Sequence, residues 1–138
     1  MEQDWRVVFD AWPPDGRLVV PLAPVRGVVA ARVYDSAGVA HGVDTQGFVL
    51  DPGSAPALLR FVPWAAAIPG RPHGGIEIDV EAGYGPAPFD VPEPLRQAIR
   101  LLVAHWYENR GMTAAAGKLA ASPAGVDALL APYRVFSL

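Results

Sequence analysis

The stretch that decides the fold is residues 76–82, which read Ile-Glu-Ile-Asp-Val-Glu-Ala. Because successive side chains of a β-strand point to opposite faces of its sheet, this alternation predicts a strand with one buried face. The opposite face is then a row of carboxylates, formed by Glu77, Asp79 and Glu81. Such a row is typical of a solvated outer face. Alternatively, the three carboxylates raise each other's pKa and suit acid–base work or a bound cation, although no partner at a fixed spacing supports this second interpretation.

The segment before this strand is interrupted repeatedly by predicted turns, since the chain has 15 prolines and 14 glycines. Short apolar runs lie between the breaks. Residues 5–9 and 17–20 flank a turn containing Asp15-Gly16, which predicts a β-hairpin. Residues 28–34 and 39–43 predict a second hairpin in the same way. Shorter β-type runs at residues 48–50 and 57–61 complete a small antiparallel sheet.

The residues after this strand change from a period of two to a period of 3.6. The change comes after Pro92-Glu93-Pro94 and predicts a helix over residues 92–110. Its apolar positions wrap most of the way round, so the helix is expected to be deeply buried or to contact more than one neighbour. A short helix is predicted from residue 123 to about residue 130. Large apolar side chains in the tail after it indicate docking, onto this domain or onto a partner.

Together these elements predict an α+β fold. It consists of a small antiparallel β-sheet region, then a long helix and a short C-terminal helix with an extended apolar tail. A chain of 138 residues fits a single domain. Within it we expect a β-rich part at residues 4–85, a helical part at residues 91–131 and a C-terminal docking tail at residues 132–138.

Composition excludes several classes of protein. A formal net charge of −3 without a Lys/Arg cluster disfavours a protein that wraps nucleic acid. The absence of cysteine excludes disulfides and thiolate metal sites and is compatible with a reducing cytoplasm. A hydrophobic content of 51% excludes a disordered chain. No signal peptide or long apolar span is recognisable, so we expect a soluble protein.

The sequence contains few residues in patterns that carry chemistry. The histidines His41, His73 and His105 lie in separate segments and make no metal-ligand spacing. The segment Gly83-Tyr84-Gly85 lacks the spacing of a dinucleotide loop and predicts a turn. No nucleophile motif is present. The sequence therefore predicts no catalytic residue, no metal site and no cofactor, and its apolar helix and tail favour an assembly protein.

Several segments together resemble a known family. Residues 104–110, Ala-His-Trp-Tyr-Glu-Asn-Arg, follow a segment at 91–99, Val-Pro-Glu-Pro-Leu-Arg-Gln-Ala-Ile. This arrangement resembles the helix signature of the tailed-phage head-tail connector (adaptor) family, which also occurs in gene transfer agents. Three other segments match in order, at residues 18–25, 80–85 and 129–134. The resemblance runs from about Trp5 to Arg134.

The resemblance implies a non-enzymatic neck protein of a phage or gene transfer agent particle, assembled in the bacterial cytoplasm. Members form a homo-oligomeric ring, commonly of twelve copies, that joins the portal protein to a stopper or tail protein, and DNA passes through the ring without sequence-specific binding. The residues implied to bind the portal are Tyr133, Arg134, Val135, Phe136, Ser137 and Leu138. The alternatives are a neck stopper or tail-terminator subunit, or, from a different class, a small β-rich ligand-binding domain or enzyme.

The resemblance also suggests roles for helix and strand residues. Trp106 is expected in the core, and an oligomer interface is expected at Arg96, Arg100, Tyr107 and Arg110. The alternating strand alone motivates one more hypothesis, that the row Glu77, Asp79 and Glu81 lines the channel, where it would repel DNA phosphates. Relatives usually carry an N-terminal helical region before the first strand, and this sequence starts close to that strand. Either its start is assigned late, or the chain is truncated, or it is a short variant. The apolar face of the predicted helix is therefore expected to be buried by something else.

Overall fold

The computed structural model describes residues 2–51, 53–61, 67–109 and 123–135. The chain divides into two compact units. The first unit contains the strands and comprises the described residues up to Tyr84 together with Val135. Gly85–Arg134 form the second unit, which contains the helices. Each unit is described separately below.

The described residues of the first unit form seven strands in two antiparallel sheets. A four-stranded sheet has the order β1-β7-β3-β4, and a three-stranded sheet has the order β2-β6-β5. The bounds of the strands are β1 (Gln3–Phe9), β2 (Arg17–Val20), β3 (Val25–Tyr34), β4 (Ala40–Val43), β5 (Val49–Asp51), β6 (Ala57–Arg60) and β7 (Ile76–Ala82).

The two sheets enclose one hydrophobic core. Ile76, Ile78 and Val80 point inward from β7 and are completely buried. Leu18 and Leu59, on neighbouring strands of the other sheet, are equally buried and belong to the same cluster. The first unit is therefore a small β-sandwich whose inner faces follow the period-two patterning of the strands.

Strand β7 lies at the centre of the four-stranded sheet and has the predicted bounds. It pairs with β1 on one side and with β3 on the other, in both cases antiparallel. Its inward side chains are isoleucine and valine, so its carboxylates point away from the core. The sequence prediction for this strand is confirmed.

The second unit contains the helices α1 (Glu93–Glu108) and α2 (Val126–Leu130). Ala98 of α1 and Val126 of α2 are buried, and the two helices contact each other. Proline lies in the first turn of α1, where a missing N–H costs little. At the other end, the Asn109 N–H donates to the carbonyl of His105 at 3.0 Å.

The predicted fold class is wrong in its proportions. The strands do not make one small sheet beside a dominant helix; they make two sheets that share a core. Among the described residues, α1 has 16 residues and α2 only five. The extended tail is described only as far as Val135, and residues 136–138 lie outside the described residues.

The first predicted hairpin is also wrong, whereas the second is confirmed. A turn does form at Gly16, whose N–H donates to the carbonyl of Pro13 at 3.0 Å. However, this turn connects β1 of one sheet to β2 of the other, and the two strands do not pair. The strands β3 and β4 do pair across the turn at Gly38.

Candidate functional site

We call the solvent side of the four-stranded sheet the charged face, because it carries a network of ion pairs. It includes the predicted carboxylate row on β7 and arginines from β1 and β3. Its members are Glu2, Asp4, Arg6, Arg26, Arg32, Glu77, Asp79 and Glu81.

Asp79 is the centre of the charged face. The Arg6 Nε donates to Asp79 Oδ1 at 2.7 Å, and the Arg32 Nη1 donates to Asp79 Oδ2 at 2.7 Å. Arg6 lies directly opposite Asp79 on β1, and Arg32 approaches from β3. Arg6 also donates to Oδ2, from its Nη2 at 3.3 Å, so the carboxylate is held by two guanidiniums, one of them bidentate. This arrangement is stronger than an isolated surface ion pair.

The two glutamates of the row are also paired. Glu77 Oε2 accepts from the Tyr34 hydroxyl at 3.0 Å and lies 3.4 Å from Arg6 Nη1. Glu81 Oε1 accepts from Arg26 Nη1 at 3.2 Å. The three carboxylates do form the predicted row, but each of them is paired with an arginine from a neighbouring strand.

The arginines change the acidity of Asp79 at the centre of the row. Hydrogen bonds from Arg6 and Arg32, together with their positive charge, lower the pKa of Asp79 to about 2, against an ordinary value of 3.8. The alternative interpretation of the sequence, in which the carboxylates raise each other's pKa, is wrong for Asp79. Asp79 thus stays ionised at neutral pH and is unsuited to exchange protons there.

Asp79→Asn is expected to destabilise the fold in a pH-dependent way. Because the folded-state pKa is lower than the unfolded one, Asp79 contributes stability that is fully present above about pH 5 and is lost as the pH falls towards 2. We expect a cost of about 1–2 kcal/mol at pH 7, allowing for solvent screening, and almost none near pH 2. Urea unfolding across this pH range measures the difference.

The matched control is Asp4→Asn, which removes a carboxylate of the same face. No ion pair is formed by Asp4 within the described ranges, so its effect should be small at every pH. Equal effects of the two substitutions at pH 7 would contradict the central role of Asp79.

A second candidate surface is the solvent side of α1. Ile99, Val103 and Trp106 follow one another at helical spacing, and each is more than half exposed. The prediction that Trp106 belongs to the core is wrong, because its side chain is 61% exposed. The side of the helix around Ala98 is the buried one instead, so the helix presents an apolar stripe to solvent.

The predicted interface residues of α1 lie beside this stripe. Arg96 and Arg100 both pair with the Glu93 carboxylate, the latter at 2.9 Å. Tyr107 is two-thirds exposed on the same side of the helix. The structure thus brings these three residues onto one surface, while Arg110 lies outside the described residues.

The start of the predicted docking tail is held to the second unit by an ion pair. Arg134 Nη2 donates to Asp127 Oδ1 of α2 at 3.0 Å. Tyr133 ends a 3-10 turn at Ala131–Tyr133. The residues Phe136, Ser137 and Leu138 lie outside the described ranges.

Features typical of chemistry are scarce in the described part of the chain. It contains no cluster of three or more His, Asp or Glu side chains that could hold a metal ion. His41 and His73 each face a single carboxylate, at 2.8 Å from Asp35 and 3.5 Å from Asp10. None of the helices in this part is long and apolar enough to cross a membrane.

Sequence reasoning missed the arginines Arg6, Arg26 and Arg32. The available signal was that they alternate with apolar residues on two strands, as the carboxylates do on β7. Opposite charges on neighbouring strands stabilise a sheet, so a search for complementary alternating strands could have found the pairing.

Comparisons with known proteins support the interpretation of this chain as an assembly protein. A family model described as "Phage gp6-like head-tail connector protein" matches residues 71–134. A chain in the virion of a native gene transfer agent (GTA) particle is 32% identical, with a TM-score of 0.75 over 98% of this chain and 66% of that one. No curated protein matches.

Two chains from GTA necks are similar over 99% of this chain, each with 34% identity and a TM-score of 0.74. One is from the neck of a native particle computed with C12 symmetry, and this chain covers 71% of it. The other is from the neck of an empty particle computed with C6 symmetry, and 68% of it is covered.

The chain combines a β-sandwich that has a charged outer face with a helical unit that has an exposed apolar stripe. Such surfaces are typical of a structural assembly protein. The matches make this class specific. The chain belongs to the phage gp6-like head-tail connector family. The resemblance inferred from its helix signature is thereby confirmed, and its role is structural.

Proposed function

We propose that this chain is an adaptor subunit in the neck of a phage or gene transfer agent particle. Twelve copies form a ring that joins the portal protein to a stopper or tail protein, and the ring performs no catalysis and needs no cofactor. The observation that carries the proposal is the likeness, over 99% of the chain, to a neck chain of a particle computed with C12 symmetry.

Ring formation requires that each subunit present two different surfaces to its two neighbours. The exposed side of α1 is suited to be one of them, because it combines the stripe of Ile99, Val103 and Trp106 with charged neighbours. We assign the predicted interface residues Arg96, Arg100, Tyr107 and Arg110 to this contact.

The two other predicted sites complete the proposal. The portal contact is formed by the tail Tyr133–Leu138, which starts from the ion pair of Arg134 with Asp127. The lining of the channel by Glu77, Asp79 and Glu81 stays a prediction. Because arginines neutralise much of this row, it would repel DNA phosphate less strongly than three bare carboxylates.

The ring is tested by native mass spectrometry and electron microscopy of the chain assembled with its portal. We expect twelve copies around one axis. Val103→Asp places a charge in the apolar stripe. It should raise the protein concentration needed for ring formation at least about tenfold. Val103→Ile, which keeps an aliphatic side chain at the same position, is the matched control and should assemble.

Two outcomes would contradict the proposal. A two-fold dimer instead of a cyclic ring would exclude an adaptor ring. A ring that binds tail proteins but not the portal would make the chain a stopper or tail-terminator subunit instead.

A further inference from the structure

The two sheets of the sandwich present their outer faces on opposite sides of the first unit. The four-stranded sheet presents the charged face. The three-stranded sheet presents a second surface, which we call the basic face. Its members are the outward side chains of β2, β5 and β6, namely Arg17, Val19, Val49, Asp51, Leu58 and Arg60.

The basic face contains two arginines that lack an acidic partner among the described residues. Arg17 and Arg60 lie directly opposite each other on neighbouring strands. Like charges in this position destabilise a sheet. The carboxylate of Asp51 does not pair with them; its Oδ1 accepts from the Gly53 N–H at 3.1 Å. The face therefore keeps an excess positive charge that the subunit itself does not neutralise.

The charged face has the opposite excess. Its ion-paired network and Asp4 comprise five carboxylates and three guanidiniums. Arg71, which stacks over the Tyr34 ring at the rim with 4.2 Å to the centroid, reduces the negative excess without removing it. Asp4 is exposed on β1 opposite Glu81, so carboxylates predominate at this end of the face.

Each face also exposes aliphatic side chains. On the basic face, Val19 and Val49 are more than half exposed, and Leu58 lies directly opposite Val19. On the charged face, Val8 and Val29 are more than half exposed. Val29 belongs to a β-bulge and lines a shallow groove of about 310 Å³ together with Asp4, Arg6 and Asp79. Both faces thus combine apolar contacts with charges of opposite sign, which favours mutual binding.

We infer that the basic face of one copy of this chain packs against the charged face of the next copy. The occupant is a second copy because the two faces are complementary to each other and lie on opposite sides of the same sandwich. Such a head-to-tail contact repeats and closes into a ring when the rotation permits. The inference rests on the proposed ring and extends it, since it names a pair of β-sheet surfaces at the subunit boundary in addition to α1.

This contact is an alternative to the predicted lining of the channel, because it places the carboxylate row at the boundary between subunits. In the contact, Arg17 and Arg60 approach the carboxylate-rich end of the neighbouring charged face. The like-charge pair that is unfavourable in the isolated subunit is then neutralised. Assembly should accordingly weaken as the salt concentration rises.

Cysteine cross-linking tests the contact, because the natural chain has no cysteine. The variant V29C/V49C carries one thiol on each face, and V8C/V19C is a second, independent pair. In particles made with either chain, oxidation or a short bis-maleimide should give a ladder of covalent multimers on a denaturing gel. The two thiols of one chain cannot join each other, since both sheets lie between them.

The single variants V29C and V49C are the controls and should give no ladder. Incorporation of the chain into particles is scored first, on the same gel. A chain that is incorporated as a ring but gives no ladder from either double variant would overturn the contact and leave the proposed function intact. Absence of the wild-type chain from particle necks would overturn the proposed function itself. A cross-linked dimer from V29C alone would show a two-fold contact and would also overturn the inference.

Charge reversal gives a second readout. Arg17→Glu with Arg60→Glu should reduce incorporation at least tenfold, whereas Arg17→Lys with Arg60→Lys keeps the positive charge and should retain most of it. Both arginines are exposed, so thermal unfolding of the two double variants should be similar. Equal incorporation of the two variants would contradict the role of these charges.

Discussion

Ile78→Ala is expected to lower the free energy of unfolding by about 2–5 kcal/mol, the usual cost of emptying a large aliphatic site in a core. Ile78 is completely buried at the centre of the four-stranded sheet, opposite Val7 on β1 and Ala31 on β3. The side chain packs in the cluster that both sheets share, so its loss leaves a cavity that the two sheets cannot easily close. Urea unfolding followed by circular dichroism measures the change.

The matched control is Val49→Ala on the basic face. Val49 is also an aliphatic residue of a strand, but it is largely exposed, so its truncation should change stability by no more than about 0.5 kcal/mol. If the two substitutions cost the same, the assignment of the inner and outer faces would be wrong.

The strand that contains Ile78 was predictable because its pattern is local. Alternating apolar and acidic side chains over residues 76–82 determine both its bounds and its buried face. The helix α1 was predictable for the same reason, and its observed bounds, Glu93–Glu108, lie within the predicted residues 92–110.

Strand pairing was less predictable because it depends on distant residues. The turn near Gly16 indicated a hairpin of β1 with β2, but β1 pairs with β7, at residues far along the chain. A turn only changes the direction of the chain. Which strand lies beside β1 is decided by the burial of whole sheet faces, and this requires knowledge of all seven strands.

The candidate surfaces show the same division between local and distant information. The carboxylate row was read from the sequence, but its chemistry was not, because Arg6 and Arg32 come from other strands. Their approach lowers the pKa of Asp79, whereas the alternative interpretation of the sequence had it raised. Trp106 was misplaced because its helical stripe predicts a buried face without identifying what covers it. In the subunit α2 contacts α1, yet the stripe containing Trp106 remains exposed.

The two sheet faces and the α1 stripe give one physical account of assembly. A subunit that exposes long apolar surfaces risks aggregation, and the ion pairs on the charged face keep that face hydrated before a neighbouring subunit binds. Arg17 and Arg60 of the basic face then determine the relative orientation of two subunits, since they attract the charged face and repel another basic face. Opposite faces with opposite charge thus favour a head-to-tail order over a symmetric dimer.

Deletion of residues 135–138 is expected to abolish attachment of the ring to the portal while leaving the subunit fold and the ring intact. The deleted segment, Val-Phe-Ser-Leu, contributes three apolar side chains that follow the anchored Arg134. A few side chains supply most of the affinity at an interface, and burial of apolar surface is the main favourable term in protein association. The ion pair of Arg134 with Asp127 is retained, so the second unit should keep its thermal stability.

Co-purification with a tagged portal measures the effect. The matched control replaces residues 135–138 by Gly-Ser-Gly-Ser, which keeps the length of the tail and removes its apolar side chains. Because the proposed contact depends on those side chains and not on length, the control should fail to attach to the same extent as the deletion. Attachment of either variant at the wild-type level would exclude the tail as the portal contact, and loss of the ring in the deletion would instead assign these residues to the contact between subunits.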